Sequence, residues 1–574
     1  MMRLDHWKQI CAVILFCATT ATVSPAQVTL TTLVTFDGAD GSTPDYMVLT
    51  QGADGNFYGT TYEGGASYGN GGPGYGSVFR VTPAGTLTTL YSFCPQAGCA
   101  DGAYPSGSLV QTANGDFYGT TQEGGTYGYG TIFKITPAGK LTTLYSFCTL
   151  ANCADGKEPL GGLAQATNGN FYGTTSFGGV NGGGTVFAIT PAGKATTLHN
   201  FCPLGSCADG DQPRGNLIQA SDGDLYGETG LDGAYGYGTI FKISTGGKLT
   251  TLFNFDYTDG AYPSGGLIQA ANSDFYGVTL GGGTSSNCPY SGGCGTLFRV
   301  TPAGKLKTLY DFCVIRCADG AFPNGPLVQG TDGNFYGTTS LNIEGEMTGP
   351  GTAFEITPAG ALATIYSFCA LDNCADGAFP AAGLLQATNG AFYGSTFGNF
   401  YKEVPYGTLF SLSTGLGPFV KTQPTSAKEG ATIGIFGQGF TRSSVVQFAG
   451  VQATNVKLSG TTFLFATVPA GALTGSVTVT TGGTTLTSNQ QFRVKPQLLS
   501  FNPPSGSVGT QVTITGTGFT QTNGVGFGDN VPAQFTVNSD TQVTATVPTG
   551  AKTGPIGVVT KGGTAISSAT FTVN

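Results

Sequence analysis

Residues able to do chemistry are few in this sequence. Only two histidines occur, His6 and His199, so a Ser-His-Asp triad or a histidine-based metal site has little material. Glu344 and Glu346 are near enough in the chain to suggest the carboxylate pair of a glycosidase, which stands roughly 5 to 10 Å apart, yet no recognisable motif holds them. The many Gly-x-Gly strings have no following helix or Lys, which makes them turn chemistry and not a phosphate cradle. The expectation is a protein that is not an enzyme and needs no cofactor or metal. The alternative is a hydrolase or lyase of extracellular polysaccharide acting through Glu344 and Glu346.

Cysteine is the other reactive type. Of 14 cysteines, two lie near the N-terminus at Cys11 and Cys17. Five close pairs, Cys94/Cys99, Cys148/Cys153, Cys202/Cys207, Cys313/Cys317 and Cys369/Cys374, sit at the same point of a repeated unit, and Cys288/Cys294 forms a sixth. Two equivalent loops, at Asp37 to Asp40 and Asp256 to Asp259, lack both cysteines and are shorter. Thiols that come and go together fit intraloop disulfides, and paired zinc ligands are the competing reading.

Long loops carry the remaining candidates for binding: Tyr68, Tyr75, Tyr127, Tyr129, Tyr235, Tyr237 and Tyr290, with Glu63, Glu123, Arg214, Glu344 and Glu346. A tyrosine ring offers an apolar face and a polar tip, suited to stacking on a sugar or on a partner side chain. The same rings could instead cover neighbouring segments of their own fold.

The elements that would position these residues are legible in composition and period. Gly (95) and Pro (29) make up 124 of 574 residues, hydrophobic residues 40% and charged residues 10%. That balance excludes a charge-rich disordered chain and a long-helix protein and leaves a turn-rich all-β one. One unit recurs seven times, marked by Gly-Leu-x-Gln, an Asn-Gly or Asp-Gly turn, Phe-Tyr-Gly, Gly-Thr-x-Phe-x-Ile-Thr-Pro-Ala-Gly and Leu-Thr-Thr-Leu-Tyr-x-Phe. Its central tyrosines are Tyr58, Tyr118, Tyr172, Tyr226 (in Leu-Tyr-Gly), Tyr276, Tyr336 and Tyr393. A period near 55 residues with four short segments, A to D, predicts four-stranded propeller blades. In the second unit these segments are Ser108 to Thr112, Asp116 to Thr121, Thr131 to Thr136 and Leu141 to Phe147.

The chain enters the repeat on a D segment, 28–36, and leaves the seventh unit without one. Seven complete blades therefore require the N-terminal strand to close the ring, which predicts a seven-bladed β-propeller over 27–415. A-to-B and C-to-D turns are short, whereas B-to-C and D-to-A loops are long and emerge on one face, where function is expected. Gln51, Gln111, Gln165, Gln219, Gln269, Gln329 and Gln386 recur in every A segment, as does an Asp before each blade. Residues needed in all seven copies read as scaffold: interblade hydrogen bonds for the Gln and turn capping for the Asp. The pattern resembles the Gloeo-Verruco (GloVer) tandem repeats of exported bacterial proteins, and more distantly the NHL-type blade. The resemblance implies export and repetition and brings no catalytic motif.

Beyond Pro418 the cysteines stop and two copies of about 78 residues follow, at 418–495 and 496–574. The second carries Pro504-Ser505-Gly506 and Gly516-Thr517-Gly518-Phe519, and the first a looser Gly437-Gln438-Gly439-Phe440. These resemble IPT/TIG immunoglobulin-like sandwiches, and short alternating strands at regular spacing support that class. At the other end, residues 1–26 combine basic residues, an apolar run and small residues at Ser24 and Ala26, the pattern of a cleaved secretory signal. No later apolar run is long enough to span a membrane. Net charge is −9, from 23 basic and 32 acidic residues, which excludes a basic surface for nucleic acid. The reading is thus a secreted, periplasmic or cell-surface monomer. Its propeller head would recognise an extracellular glycan or protein, with the sandwiches as a stalk, and a purely structural envelope role is the remaining alternative.

Overall fold

The computed structural model describes residues 28–44, 47–66, 72–96, 98–203, 207–289, 291–314, 316–344, 347–398 and 406–574. The expected signal, 1–26, lies outside them. Seven antiparallel sheets form the propeller, each with its strands in the order A-B-C-D. In blade 2 these strands are Ala103–Gln111, Phe117–Glu123, Thr131–Ile135 and Leu141–Ser146. The seventh blade takes its fourth strand from the chain start: Thr29–Thr35 pairs antiparallel with Thr408–Ser413, Leu30 facing Leu412.

Sequence explains why the blades stack. The B-strand tyrosine of one blade lies on the B-strand phenylalanine of the next. Tyr58 meets Phe117, Tyr276 meets Phe335 and Tyr226 meets Phe275, each at a centroid separation of 4.1 Å. A second belt sets the D-end phenylalanine of one blade edge-on to the C-strand phenylalanine of the next, as in Phe93 and Phe133 at 5.3 Å. Both belts close across the chain ends, through Tyr393 with Phe57 at 4.1 Å and Phe36 with Phe79 at 5.5 Å. The glycine of Phe-Tyr-Gly is a packing requirement: a Cβ on Gly119 would stand 2.6 Å from Phe133 Cζ, because that ring lies flat over it.

The A strands differ in length: nine residues in blades 2 and 4, two in blades 1, 3 and 7. The expected Ser108 to Thr112 segment is the end of a strand starting at Ala103, with a register shift between Ser106 and Val110. In blades 5 and 6 the strand breaks in two, at Ala261–Pro263 and Ile268–Gln269, and at Ala321–Pro323 and Val328–Gln329. The unbroken strands of blades 2 and 4 pass their Pro-x-Gly-x-Leu stretch with Gly107 (φ 76°) and Gly215 (φ 71°) in left-handed backbone, inside the register shifts Ser106/Val110 and Arg214/Ile218.

The glutamine belt does bridge blades. Gln111 Oε1 accepts from Ala53 N of blade 1 (2.9 Å), Gln219 Oε1 from Thr167 N (2.8 Å) and Gln51 Oε1 from Thr388 N across the closure (3.1 Å). Several of these side-chain amides also donate to their own hairpin turn, as Gln219 Nε2 does to Gly223 O (2.9 Å).

Two sandwiches of identical topology follow. In the first, Lys421–Gln423, Thr432–Phe436, Phe463–Thr467 and Val456–Leu458 form one sheet. The other contains Ser426–Ala427, Thr484–Val494, Gly475–Thr481, Val445–Phe448 and Val451–Gln452. The second repeats both sheets between Gln497 and Val573, including the short parallel pairing of Ser505 with Thr572. The first sandwich docks on the short-turn face of the propeller: Gln438 Nε2 donates to Thr388 Oγ1 (2.9 Å) and Phe419 N to Thr388 O (3.0 Å). Among the described residues no helix is long and apolar enough to cross a membrane.

Candidate functional site

Seven A strands meeting at the axis enclose a funnel of about 560 Å³ that opens on the long-loop face. Much of its wall comes from the two variable positions of Pro-x-Gly-x-Leu, whose residues differ among blades 2 to 6. Ser106 and Ser108 come from blade 2, Arg214 and Asn216 from blade 4, and Asn324 and Pro326 from blade 6. The mouth adds Tyr62, Glu63 and Gln122, with the Tyr62 hydroxyl donating to Gln122 Oε1 at 2.9 Å.

A hydrogen-bonded bar crosses the funnel floor. Ser108 Oγ accepts from Val48 N (2.9 Å) and lies 3.5 Å from Asn216 Nδ2, while Asn216 Oδ1 accepts from Gly162 N (2.6 Å). Four blades are thereby joined through two side chains.

Blade 4 departs furthest from the repeat. The B-strand position that is Thr60, Thr120, Thr174, Val278, Thr338 and Ser395 elsewhere is Glu228 there. Thr120 uses the position to bond the next blade, donating to Gly161 O at 3.0 Å. Glu228 Oε2 makes the corresponding contact by accepting from Gly266 N at 3.0 Å, but its Oε1 has no partner and the side chain is 1% exposed. Burial pushes its carboxyl up to about 8, against the pull of the Gly266 bond. Arg214 is its cross-strand neighbour. That guanidinium donates from Nη2 to Gln212 Oε1 at 2.7 Å, and its Nε is buried without a partner.

Of the twelve binding residues expected from sequence, Glu63 and Arg214 reach the funnel wall. Burial raises the Glu63 carboxyl above its ordinary range, opposed by a hydrogen bond with Thr43. Three of the aromatic candidates are engaged with neighbouring blades: Tyr75 packs on Tyr104 (5.8 Å), Tyr237 on Tyr262 (6.3 Å), and Lys157 lies over the Tyr129 ring (5.3 Å). Tyr127 and Tyr235, 51% and 63% exposed, stand on the loops and not in the funnel, and Glu123 is likewise exposed. The physical reason is that B-to-C loops project outward and sideways, so their rings meet the next blade before they meet the axis. Glu344 ends a B strand and pairs through its backbone with Met347. Tyr68, Tyr290 and Glu346 lie outside the described residues.

Ser108, Asn216, Asn324 and Glu228 escaped the sequence reading. The available signal was variation inside a fixed frame: in a repeat protein the positions that refuse the consensus, not the conserved ones, face the unique axis.

The remaining reactive residues are structural. His199 Nε2 lies 2.8 Å from Asp209 Oδ2, in the place where Tyr91, Tyr145, Tyr310 and Tyr366 donate hydroxyls to Asp101, Asp155, Asp319 and Asp376. Each such Asp also accepts from loop backbone, as Asp155 does from Thr149 N (2.9 Å) and Leu150 N (3.1 Å), which staples the D strand to the loop after it.

All six expected cysteine pairs are disulfides: Cys94–Cys99, Cys148–Cys153, Cys202–Cys207, Cys288–Cys294, Cys313–Cys317 and Cys369–Cys374. The second cysteine also shapes the backbone of its loop. Cys99, Cys153 and Cys374 take left-handed backbone, at φ 46°, 53° and 54°. Cys153 and Cys374 each end a short 3-10 turn, Ala151–Cys153 and Asp372–Cys374. Their carbonyls are turned onto glycine amides: Cys99 O accepts from Gly102 N (2.9 Å), Cys153 O from Gly156 N (2.8 Å) and Cys374 O from Gly377 N (2.8 Å). Cys99 O and Cys153 O also accept from Gly125 N and Gly179 N, each at 2.8 Å, which ties the D-to-A loop to the B-to-C loop of the following blade. The cysteine-free loops make the same tie through Gly38 O to Gly65 N (3.0 Å) and Tyr257 O to Gly283 N (2.8 Å). Backbone demand therefore sets this corner, and the disulfide secures the longer version of it.

Two disulfides meet between blades 5 and 6, where the sulfurs of Cys294, Cys313 and Cys317 lie within 4.8 Å of one another, all buried. Alkylation of the unreduced chain from residue 27 onward should leave its intact mass unchanged, and six disulfides should appear as twelve adducts after reduction. More than two adducts before reduction would refute the pairing.

The model of the Gloeobacter/Verrucomicrobia repeat matches three overlapping stretches, 18–154, 148–339 and 288–463. The chain belongs to this repeat family. In this Gloeobacter/Verrucomicrobia repeat protein the IPT/TIG domain model matches 496–573, the second sandwich. No curated protein matches the chain. Among solved structures, a fungal alcohol oxidase of the AA5 family in complex with copper is 12% identical with a TM-score of 0.42, covering 94% of this chain and 98% of its own. A putative gluconolactonase is 11% identical, TM-score 0.33, over 55% of this chain and 89% of that one. SGBP-B from a xyloglucan utilization locus of Bacteroides uniformis is 21% identical, TM-score 0.14, over 27% of this chain and 48% of its own, about half its length. At these scores the likenesses carry no functional information for this repeat protein.

Proposed function

We propose that this is an extracellular or cell-surface binding protein that takes a neutral or weakly anionic glycan, by an end or a short segment, into the axial funnel. The observation that supports this most is the funnel wall itself. Blades of one repeated design present unlike residues at their axial positions, and most of the polar ones are uncharged donors and acceptors such as Ser106, Ser264, Asn216 and Asn324. A volume of about 560 Å³ falls within the roughly 300 to 1,000 Å³ common to small-molecule sites. Six disulfides favour an oxidising compartment, in keeping with export. The sandwiches would serve as a stalk.

A polysaccharide hydrolase or lyase in the same funnel is the second reading, favoured by the raised carboxyl of Glu63. Against it, Glu63 is the single carboxylate among the described wall residues, one short of the pair that most glycosidases use. The test is a glycan array followed by titration with the chain from residue 27 onward. Binding without turnover, weakened about tenfold or more by Arg214→Ala or Asn324→Ala, is the expected result, since each loss strips one or two hydrogen bonds of roughly 1 kcal/mol or more. Oligosaccharide release that disappears with Glu63→Gln would favour the enzyme. Binding untouched by either funnel substitution would remove the funnel from consideration.

A further inference from the structure

The D-to-A loop between blades 5 and 6 is closed by Cys313–Cys317, in the manner of four other such loops. Blade 5 adds a second disulfide, Cys288–Cys294, in its B-to-C loop. Polar contacts that involve neither disulfide bond press the two loops together. Ser285 Oγ donates to Cys313 O (2.9 Å), Asn287 Nδ2 donates to Val314 O (2.7 Å), and Cys313 Sγ lies 3.3 Å from Asn287 O. Cys294 O accepts from Phe322 N (2.9 Å), in the first strand of blade 6. Held in this way, the sulfurs of Cys294, Cys313 and Cys317 all lie within 4.8 Å of one another. Among the described residues no other three cysteine sulfurs come so close.

Exposure divides the four cysteines. Cys294, Cys313 and Cys317 are 1%, 0% and 0% exposed, packed in a core with Leu297 and Phe312, whereas Cys288 is half-buried. A thiol arriving from solvent can therefore enter this group at Cys288 Sγ. Attack there makes Cys294 the leaving sulfur, and its thiolate is released against a second disulfide, shielded from solvent.

We propose that these two disulfides form an exchange pair, in which a low-molecular-weight thiol entering at Cys288 moves the free thiol to the D-to-A loop and leaves a new disulfide between the loops. In the first step the sulfur of the incoming thiolate bonds to Cys288 Sγ, the Cys288–Cys294 bond breaks, and its electron pair stays on Cys294 Sγ. In the second, Cys294 Sγ bonds to Cys313 Sγ, the Cys313–Cys317 bond breaks, and the pair passes to Cys317 Sγ, which takes up a proton. Attack on Cys317 Sγ is the mirror case and frees Cys313. One thiol enters and one leaves, so the number of disulfides is unchanged. In the second step one buried thiolate replaces another, so desolvation favours neither side and proximity governs the exchange. Two clips that each close their own loop thereby become one bond joining the B-to-C and D-to-A loops at the border of blades 5 and 6. The inference does not depend on the funnel reading.

The Cys288→Ser variant of the chain from residue 27 onward tests it, because Cys294 then has no partner of its own to return to. N-ethylmaleimide labelling in mildly acidic denaturant, proteolysis without reduction and mass spectrometry locate the free thiol and each disulfide. A disulfide joining Cys294 to Cys313 or Cys317 is expected, with label on whichever of those two is released. Cys94→Ser is the control: its stranded Cys99 has no third sulfur beside it and should carry the label alone. Treatment of the parent protein with reduced glutathione at mildly alkaline pH gives a reading that does not depend on the variant folding. Glutathione on Cys288 should appear there together with the same cross-loop disulfide. Label confined to Cys294 in the folded variant with Cys313–Cys317 intact would overturn the proposal. So would a parent that takes glutathione on Cys288 without the cross-loop bond, or takes none on Cys288 at all.

Discussion

Deleting residues 28–36 should abolish cooperative folding of the propeller or leave a chain that aggregates. This strand supplies the fourth place of the last blade, in register from Thr29/Ser413 to Thr35/Thr408. It also brings Val34 and Phe36 into the core at 8% and 2% exposure, with Phe36 edge-on to Phe79 of blade 1. Losing the phenylalanine alone costs about 3 to 5 kcal/mol and the valine adds to that, against a typical total of about 5 to 15 kcal/mol for a domain. The deletion further exposes the 408–413 strand as an open edge beside a broken aromatic belt, a template for pairing with other chains. Thermal melting and size-exclusion chromatography check it: a fall in the midpoint well above ten degrees, or elution as aggregate, is the expected outcome. An unaltered midpoint with monomeric elution would show that the ring does not depend on its closing strand.

The second large effect should appear at Glu228 as a function of pH. Its carboxyl is pushed from 4.5 up to about 8 by complete burial. The native state therefore holds a proton over an interval in which the unfolded chain has released it, so stability contributed by this group declines as pH rises from about 4.5 to about 8. Below 4.5 both states are protonated and the contribution is constant. The shift corresponds to roughly 5 kcal/mol at most. Glu228→Gln keeps the shape and the acceptor for Gly266 N while removing the ionisation. The variant should match the parent near pH 4 and exceed it by several kcal/mol at pH 9 in urea unfolding. Asp40 and Asp259, raised to about 6 by burial, add their own decline to both proteins and cancel in the difference. Parallel stability profiles for parent and variant between pH 5 and 9 would mean that the carboxyl reaches solvent in the folded state.

Much of the architecture was legible because repetition makes packing visible in one dimension. Phe-Tyr-Gly recurs since each tyrosine needs the next blade's phenylalanine and each glycine must yield to the ring above it. The missing D strand at one end and the unmatched one at the other revealed the closure by counting alone. Cysteine pairs that appear with a loop insertion pointed to the disulfides, since covalent clips leave a local mark. The carbonyls of Cys99 and Cys153, which bind one long loop to another, left none, because their partners are glycines some 26 residues away.

The candidate site was harder to read, for a reason rooted in the same repetition. Exposed tyrosines on Gly-rich loops look like binding residues in a linear reading, but Tyr75, Tyr129 and Tyr237 pack across blades. Ser108 and Asn216 look like turn residues beside glycine, but convergence of seven A strands places them face to face on the axis. His199, the one histidine beyond residue 26, does the work of a tyrosine.

By itself, the sequence determined the class, the blade number, the closure, the disulfides and the two sandwiches, because each follows from contacts whose spacing repeats along the chain. Only the tertiary structure decided which residues share the funnel and that Glu228 is buried without a partner for one oxygen. Those facts depend on residues about 50 to 400 positions apart being brought to a common axis, and a single chain carries no periodic trace of what the axis holds.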